Sequence, residues 1–241
     1  MYPKILESGK QEYLQENLML FFFLSLPLVG LSIIFSEAGL YILNPIYVIA
    51  YPVVIFLALK SFLTSLNSNF FLALQGLEKV DVDKKSTFKD YAKSKIMLHP
   101  TFQLVRSAIY FSSLAIIFSL QNEDVFNIDL ITMWALIGLL IELPLTAFMI
   151  HMTKKEFTLN LQWSSIIKYF STCLVIFGLT HILMQEFLVF SEEIIVFLPR
   201  LIPFAIFAVG TYLLISIIID NRAKTLVKKT ISELNSKFRT T

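Results

Sequence analysis

Cysteine is all but absent. Cys173 is the only one among 241 residues, so no disulfide framework and no Cys-rich zinc site can form within the chain. Set in an apolar run, Cys173 reads as a small buried hydrophobe. The three histidines stand far apart, and no His-x-x-x-His or His-Glu-x-x-His pair offers a zinc site. No metal and no cofactor are expected. A Walker sequence is also missing, which excludes nucleotide hydrolysis through a P-loop within this chain. There is no Asn-x-Ser/Thr sequon to mark an outward loop. The polar lead "MYPKILESGKQEYLQEN" lacks the early apolar core of a cleavable signal.

Charge is scarce as well. Charged residues make up 16% of the chain against 56% hydrophobic, and the mean hydropathy is +0.71. A soluble domain of this composition would lack the polar surface to cover itself, so lipid is the expected solvent for much of it. The net charge of +2 says little about partners. No nucleic-acid partner is expected.

A spanning helix needs about 20 mostly apolar residues. Six stretches meet that requirement, at residues 18–36, 46–75, 97–120, 128–152, 166–190 and 196–219. The second exceeds one crossing, which implies tilt, a bend near Pro52 or a cytoplasmic extension. Strands of a membrane barrel alternate inward and outward over shorter segments, and no such alternation is present. The expected fold is therefore all-α: a bundle of six transmembrane helices over residues 1–219, with a basic amphipathic tail at 220–241.

Orientation follows from lysine and arginine, which favour cytoplasmic loops. Lys4 and Lys10 precede the first span. Lys79, Lys84, Lys85, Lys89, Lys93 and Lys95 follow the second, Lys154 and Lys155 the fourth, and six basic residues the sixth. The intervening loops "EAGLYILNP", "QNEDVFNID" and "SEEII" carry none. Both termini are expected in the cytoplasm. In the tail, Ala223, Leu226, Val227, Thr230, Ile231, Leu234 and Phe238 share one helical face, with lysines opposite, which suits either an interfacial helix on an anionic leaflet or a solvated amphipathic tail. The segment "GLEKVDVDKKSTFKDYAKSKI" reads as a short basic helix along the membrane.

Polar residues inside the spans recur at helical spacing. Lys60, Thr64, Asn67, Ser68, Phe71 and Gln75 form one face of the second span; His99, Gln103, Arg106, Tyr110 and Ser113 form one face of the third. A looser stripe in the fifth joins Ser164, Lys168, Ser171, Gly178, His181 and Gln185. Such stripes give each helix a wet or protein-facing side. Lys60, Arg106 and Glu142 all fall between the bilayer centre and its cytoplasmic third. A lone charge at the centre costs at least ~2.5–3.5 kcal/mol, so Glu142 is expected to face inward and pair with Arg106 or Lys60. It then serves as a structural partner or as a proton- or ion-coupling group. Lys60 and Arg106 alternatively snorkel to the interface on their long stems. His181 is a packing histidine or a titrating one. Pro27, Pro144, Pro199 and Pro203 are candidate kinks.

The lead "YPKILESGKQEYLQENLMLFFFLSLPLVGL", with Leu26-Pro27-Leu28 in mid-span, resembles the stretch opening the second half of polysaccharide-exporting flippases of the MATE-like superfamily. The charged loop 76–96 is similar to a loop in archaeal-type members. The resemblance is one of pattern and topology over most of the chain. It implies a carrier, not an enzyme, that moves a lipid-linked oligosaccharide across the cell membrane through a cationic cavity between two six-helix bundles. Lys60 and Arg106 would then meet phosphate oxygens, as a point charge and a fork of donors, and Asn67, Gln103 and Tyr110 the sugar hydroxyls. With one bundle in this sequence, the implied partners are the glycan lipid, membrane lipids and a second six-helix bundle. Two other readings stand beside it. A cation-coupled drug exporter of the same superfamily would depend on Glu142. A membrane enzyme of glycan or lipid synthesis would use Asp81 and Asp83, whose spacing resembles a metal-binding DxD, although Lys79, Lys84 and Lys85 also explain that pair as solvated charge balance.

Overall fold

The computed structural model describes residues 11–77, 87–120, 128–157, 161–191, 193–225 and 227–228. Among these there is no strand. The helices are α1 (Gln11–Ile34), α2 (Ser36–Leu43), α3 (Tyr51–Gln75), α4 (Phe88–Lys93), α5 (Leu98–Leu120), α6 (Ile128–Glu156), α7 (Trp163–Phe187) and α8 (Ile194–Ile219). Short 3-10 turns cover Pro45–Ala50 and Lys95–Met97. Six helices among the described residues are long and apolar enough to cross a membrane: α1, α3 with its preceding turn, α5, α6, α7 and α8. The chain is thus a multi-pass membrane protein by length and composition. The long second apolar stretch begins as the 3-10 turn and becomes α-helical at Tyr51-Pro52, where the proline falls in the first turn and no interior hydrogen bond is lost.

The chain divides into two compact units: residues 1–18 with 52–161, and residues 19–51 with 162–241. In the first, a chain of aromatic contacts ties α3, α5 and α6 together. Phe71 meets His99 and Phe102 edge-on at 5.0 and 5.4 Å, and Phe102 meets Phe148 at 5.2 Å. Asn17 donates to Asn69 at 2.8 Å, and Lys95 pairs with Glu156 at 2.8 Å. On the outer side of α5, Leu104, Phe111, Ile116 and Phe118 are exposed, which suits a surface facing lipid chains. At α4, the Asp90 carboxylate accepts from the hydroxyl and the backbone N–H of Thr87. Those bonds hold it below the usual aspartate range.

In the second unit the loop expected at "EAGLYILNP" is instead helix α2 and the turn after it. Its apolar residues were too few to read as a span, and tertiary packing decides the outcome. Ala38 is buried against Met184, Leu188, Phe197 and Leu201, and Tyr41 packs on Phe190 and Phe197 at 4.8 and 5.5 Å. Close to Pro27, Phe23, Tyr169, Phe177 and Tyr212 cluster between α1, α7 and α8. Gly30 is required here, because a methyl group at that position would stand 2.9 Å from the Phe177 ring.

Pro27 frees a carbonyl four residues earlier. It has no N–H to offer the Phe23 carbonyl, which would be orphaned in lipid. The buried Tyr212 hydroxyl donates to that carbonyl at 3.0 Å, and the Cys173 thiol reaches the Leu26 carbonyl at 3.4 Å. Tyr212→Phe should therefore lower stability by roughly 0.6–2 kcal/mol, the range of interhelical hydrogen bonds in membranes. Adding Pro27→Ala should abolish most of that loss, since alanine at this position supplies the missing N–H. Thermal unfolding in detergent of the four variants measures the coupling. Equal losses with and without Pro27 would break the link between the hydroxyl and the proline.

At the end of α8, Asp220 is buried. Tyr169 donates to it at 2.6 Å and the Arg222 N–H at 3.2 Å. Burial pushes its carboxyl upward, but the hydrogen bonds from Tyr169, Ser165 and Arg222, with the charge of Lys168, outweigh it and hold the group low. Residues 221–225 and 227–228 are helical, with Ala223 buried. The rest of the tail, and the segment holding Lys79, Asp81, Asp83, Lys84 and Lys85, lie outside the described residues.

Candidate functional site

Three helices of the first unit bring their charges to one place. α3 carries Lys60 and Asn67, α5 carries Gln103, Arg106 and Tyr110, and α6 carries Gly138 and Glu142. Spacings of three, four and seven put each set on one helical face. Glu142, at the middle of α6, is completely buried. Arg106 Nη2 donates to Glu142 Oε2 at 2.9 Å, and Nε stands 2.7 Å from Oε1. That second contact is electrostatic rather than a well-aimed hydrogen bond, as Nε and Oε1 otherwise have no bonding partner. Asn67 Nδ2 donates to the same Oε2 at 3.1 Å. On the other side of the guanidinium, Nη1 donates to Gln103 at 3.0 Å. Thr146, one turn on, returns its hydroxyl to the Glu142 backbone carbonyl at 2.8 Å.

The partner of Glu142 is therefore Arg106, and the positive charge of Arg106 is largely neutralised. Lys60 is different. Among the described residues no carboxylate pairs with it. Its ammonium sits 5.2 Å from the centre of the Tyr110 ring, a cation–π contact that gains strength where water is excluded. Tyr110 in turn packs on Trp134 at 6.0 Å. The Lys60 stem runs across the α6 backbone where Gly138 leaves room for it.

A cavity of about 70 Å³ opens beside these groups, lined by Lys60, Arg106, Ser107, Tyr110, Gly138 and Ile141. At ~10–15 Å³ per water it holds a handful of waters. That is the scale of one small anionic group and not of an oligosaccharide. Of the residues expected to line a cavity, Lys60, Arg106 and Tyr110 do. Asn67 and Gln103, expected to face sugar hydroxyls, instead bind Glu142 and Arg106. His181 belongs to the second unit, where it is exposed on α7 and shares a contact of 3.2 Å with Gln185. The chain matches no protein-family description, no curated protein and no solved structure. No group of three metal-ligating side chains occurs among the described residues.

Gly138, Ser107 and Ile141 did not stand out in the sequence. Gly138 and Ile141 precede Glu142 by four and one positions, and Ser107 adjoins Arg106. Projecting the faces that carry the charges would have found Gly138, since i and i+4 stack on one side of a helix.

Proposed function

We propose that this chain is one six-helix bundle of a membrane carrier that moves a lipid-linked oligosaccharide or polysaccharide precursor across the cytoplasmic membrane. The observation that carries this reading is the division of charge at the site. Arg106 is matched by Glu142, and Lys60 faces a small cavity without a carboxylate partner among the described residues. A half-buried ammonium without a carboxylate partner beside a cavity favours an anion, and the phosphate linkage of a glycan lipid supplies one. The cavity accommodates the head anion only; the sugars would occupy space completed by a second six-helix bundle or a second copy of this one. A cation-coupled exporter receives less support, because the carboxylate it needs is already occupied by Arg106 and Asn67.

Both termini and the lysine-bearing loops would face the cytoplasm. Single cysteines at Ser86 and Asn122, in a Cys173→Ser background, test this with an impermeant thiol reagent applied to intact cells. Asn122 should label and Ser86 should not; the reverse pattern would overturn the orientation. Serine at 173 retains a donor for the Leu26 carbonyl. The transport reading is tested in vesicles holding the bundle together with its partner half, by following a lipid-linked saccharide into the leaflet reached by an added glycosidase. Movement no faster than in protein-free vesicles would end it.

A further inference from the structure

We infer that Gly138 is a positioning residue: the absence of its side chain fixes where the Lys60 ammonium stands, and so sets the anion site. This deepens the reading of the cavity as an anion subsite and rests on it. An ideal methyl group at Gly138 would come 2.9 Å from Lys60 Nζ, 3.2 Å from Cδ and 3.3 Å from Cε. Three atoms at the far end of one side chain thus occupy the space of that single missing methyl. The same six residues that line the cavity include both Gly138 and Lys60, so the ammonium pressed against the α6 backbone is also the one presented to a ligand. Its other contact is the Tyr110 face at 5.2 Å. Backbone on one side and an aromatic ring on another bound the end of Lys60, and a methyl at position 138 would crowd it.

The collision is with the flexible end of a lysine and not with backbone. Gly138→Ala should therefore fold, helped by the helix preference of alanine, while the ammonium is pushed off its position. A purely structural glycine would show the opposite: lost stability and unchanged binding. The effect must also run through Lys60, and it should vanish when Lys60 is absent.

Trp134 provides a built-in reporter, since it packs on Tyr110, the ring beneath the ammonium. The other tryptophan, Trp163, is exposed, and Trp163→Phe leaves Trp134 alone. In that background, the full chain in detergent is titrated with inorganic pyrophosphate at constant ionic strength, following Trp134 fluorescence and the thermal midpoint. The wild-type site should saturate. Gly138→Ala should bind at least about tenfold more weakly, the scale of one lost charge-assisted contact, with its midpoint unchanged or raised. Lys60→Met should bind as weakly, and Gly138→Ala added to Lys60→Met should weaken it no further. If Gly138→Ala binds like wild type while Lys60→Met does not, the positioning role is wrong and the anion subsite stands. If Gly138→Ala weakens binding equally with and without Lys60, the glycine acts by another route and the inference is overturned. If the wild-type chain does not saturate, or Lys60→Met binds like wild type, the anion reading itself fails and takes the inference with it.

Discussion

Arg106→Ala should remove most of the folded protein from the membrane, and Arg106→Ala combined with Glu142→Ala should restore much of it. Breaking a buried pair by deleting one partner costs about 3–5 kcal/mol, a large part of the roughly 5–15 kcal/mol that holds a typical domain together. The two single losses should differ. The Glu142 side chain is 0% exposed and that of Arg106 19%, so a stranded guanidinium can still reach the water of the cavity and a stranded carboxylate cannot. Arg106→Ala should be the more damaging change. Glu142→Gln should be milder than Glu142→Ala, because the amide oxygen can still accept from Arg106 or Asn67. Protein level in the membrane and the thermal midpoint in detergent read all four variants. A double variant no better than Arg106→Ala would mean that the pair does not carry this cost.

That pairing also shows how far the sequence could be read. Bilayer thickness dictates span length, so six apolar runs were legible directly, and the helices follow them to within a few residues at most ends. Position within the spans, helical spacing and the cost of a lone charge in lipid were enough to expect Lys60, Arg106 and Glu142 together. It did not choose between two cations for one carboxylate. That choice depends on side-chain reach across α3, α5 and α6, which no one-dimensional spacing contains. Asn67 and Gln103 show the same limit: their faces were legible, but whether an amide turns to a ligand or to a neighbouring charge was not.

Other features escaped for different reasons. Helix α2 has no amphipathic repeat long enough to announce it, and its packing on Phe197 and Leu201 involves residues more than 150 positions away. Pro27 was legible as a candidate kink, but Tyr212, which satisfies the freed Phe23 carbonyl, is 189 residues from Phe23. Asp220 stood at the boundary between span and tail. There a lone acid reads as an ordinary end of a helix, and its partner Tyr169 lies on another one. Buried polar groups in lipid need partners. Applying that rule to each proline and each acid says that a partner exists, and only the fold says which.

The remaining charge makes the sharpest distinction between structure and function. Lys60→Ala should leave the amount of folded protein unchanged or raise it, because it deletes a half-buried cation that no carboxylate among the described residues balances. If the cavity binds the phosphate of a glycan lipid, the same change should slow transport roughly tenfold to a hundredfold, matching the ~1.5–3 kcal/mol of a hydrogen bond to a charged group. Stability and activity then move in opposite directions, whereas at Arg106 they fall together. Lys60→Arg should recover only part of the rate, since the broader guanidinium does not fit the narrow space between Gly138 and Tyr110 that admits an ammonium. The vesicle assay, run at matched protein density with the proposed second bundle present, gives the rate, and detergent unfolding gives the stability. A snorkelling lysine predicts no change in either measurement, and a structural one predicts a loss in both. Either result would take Lys60 out of the proposed transport site.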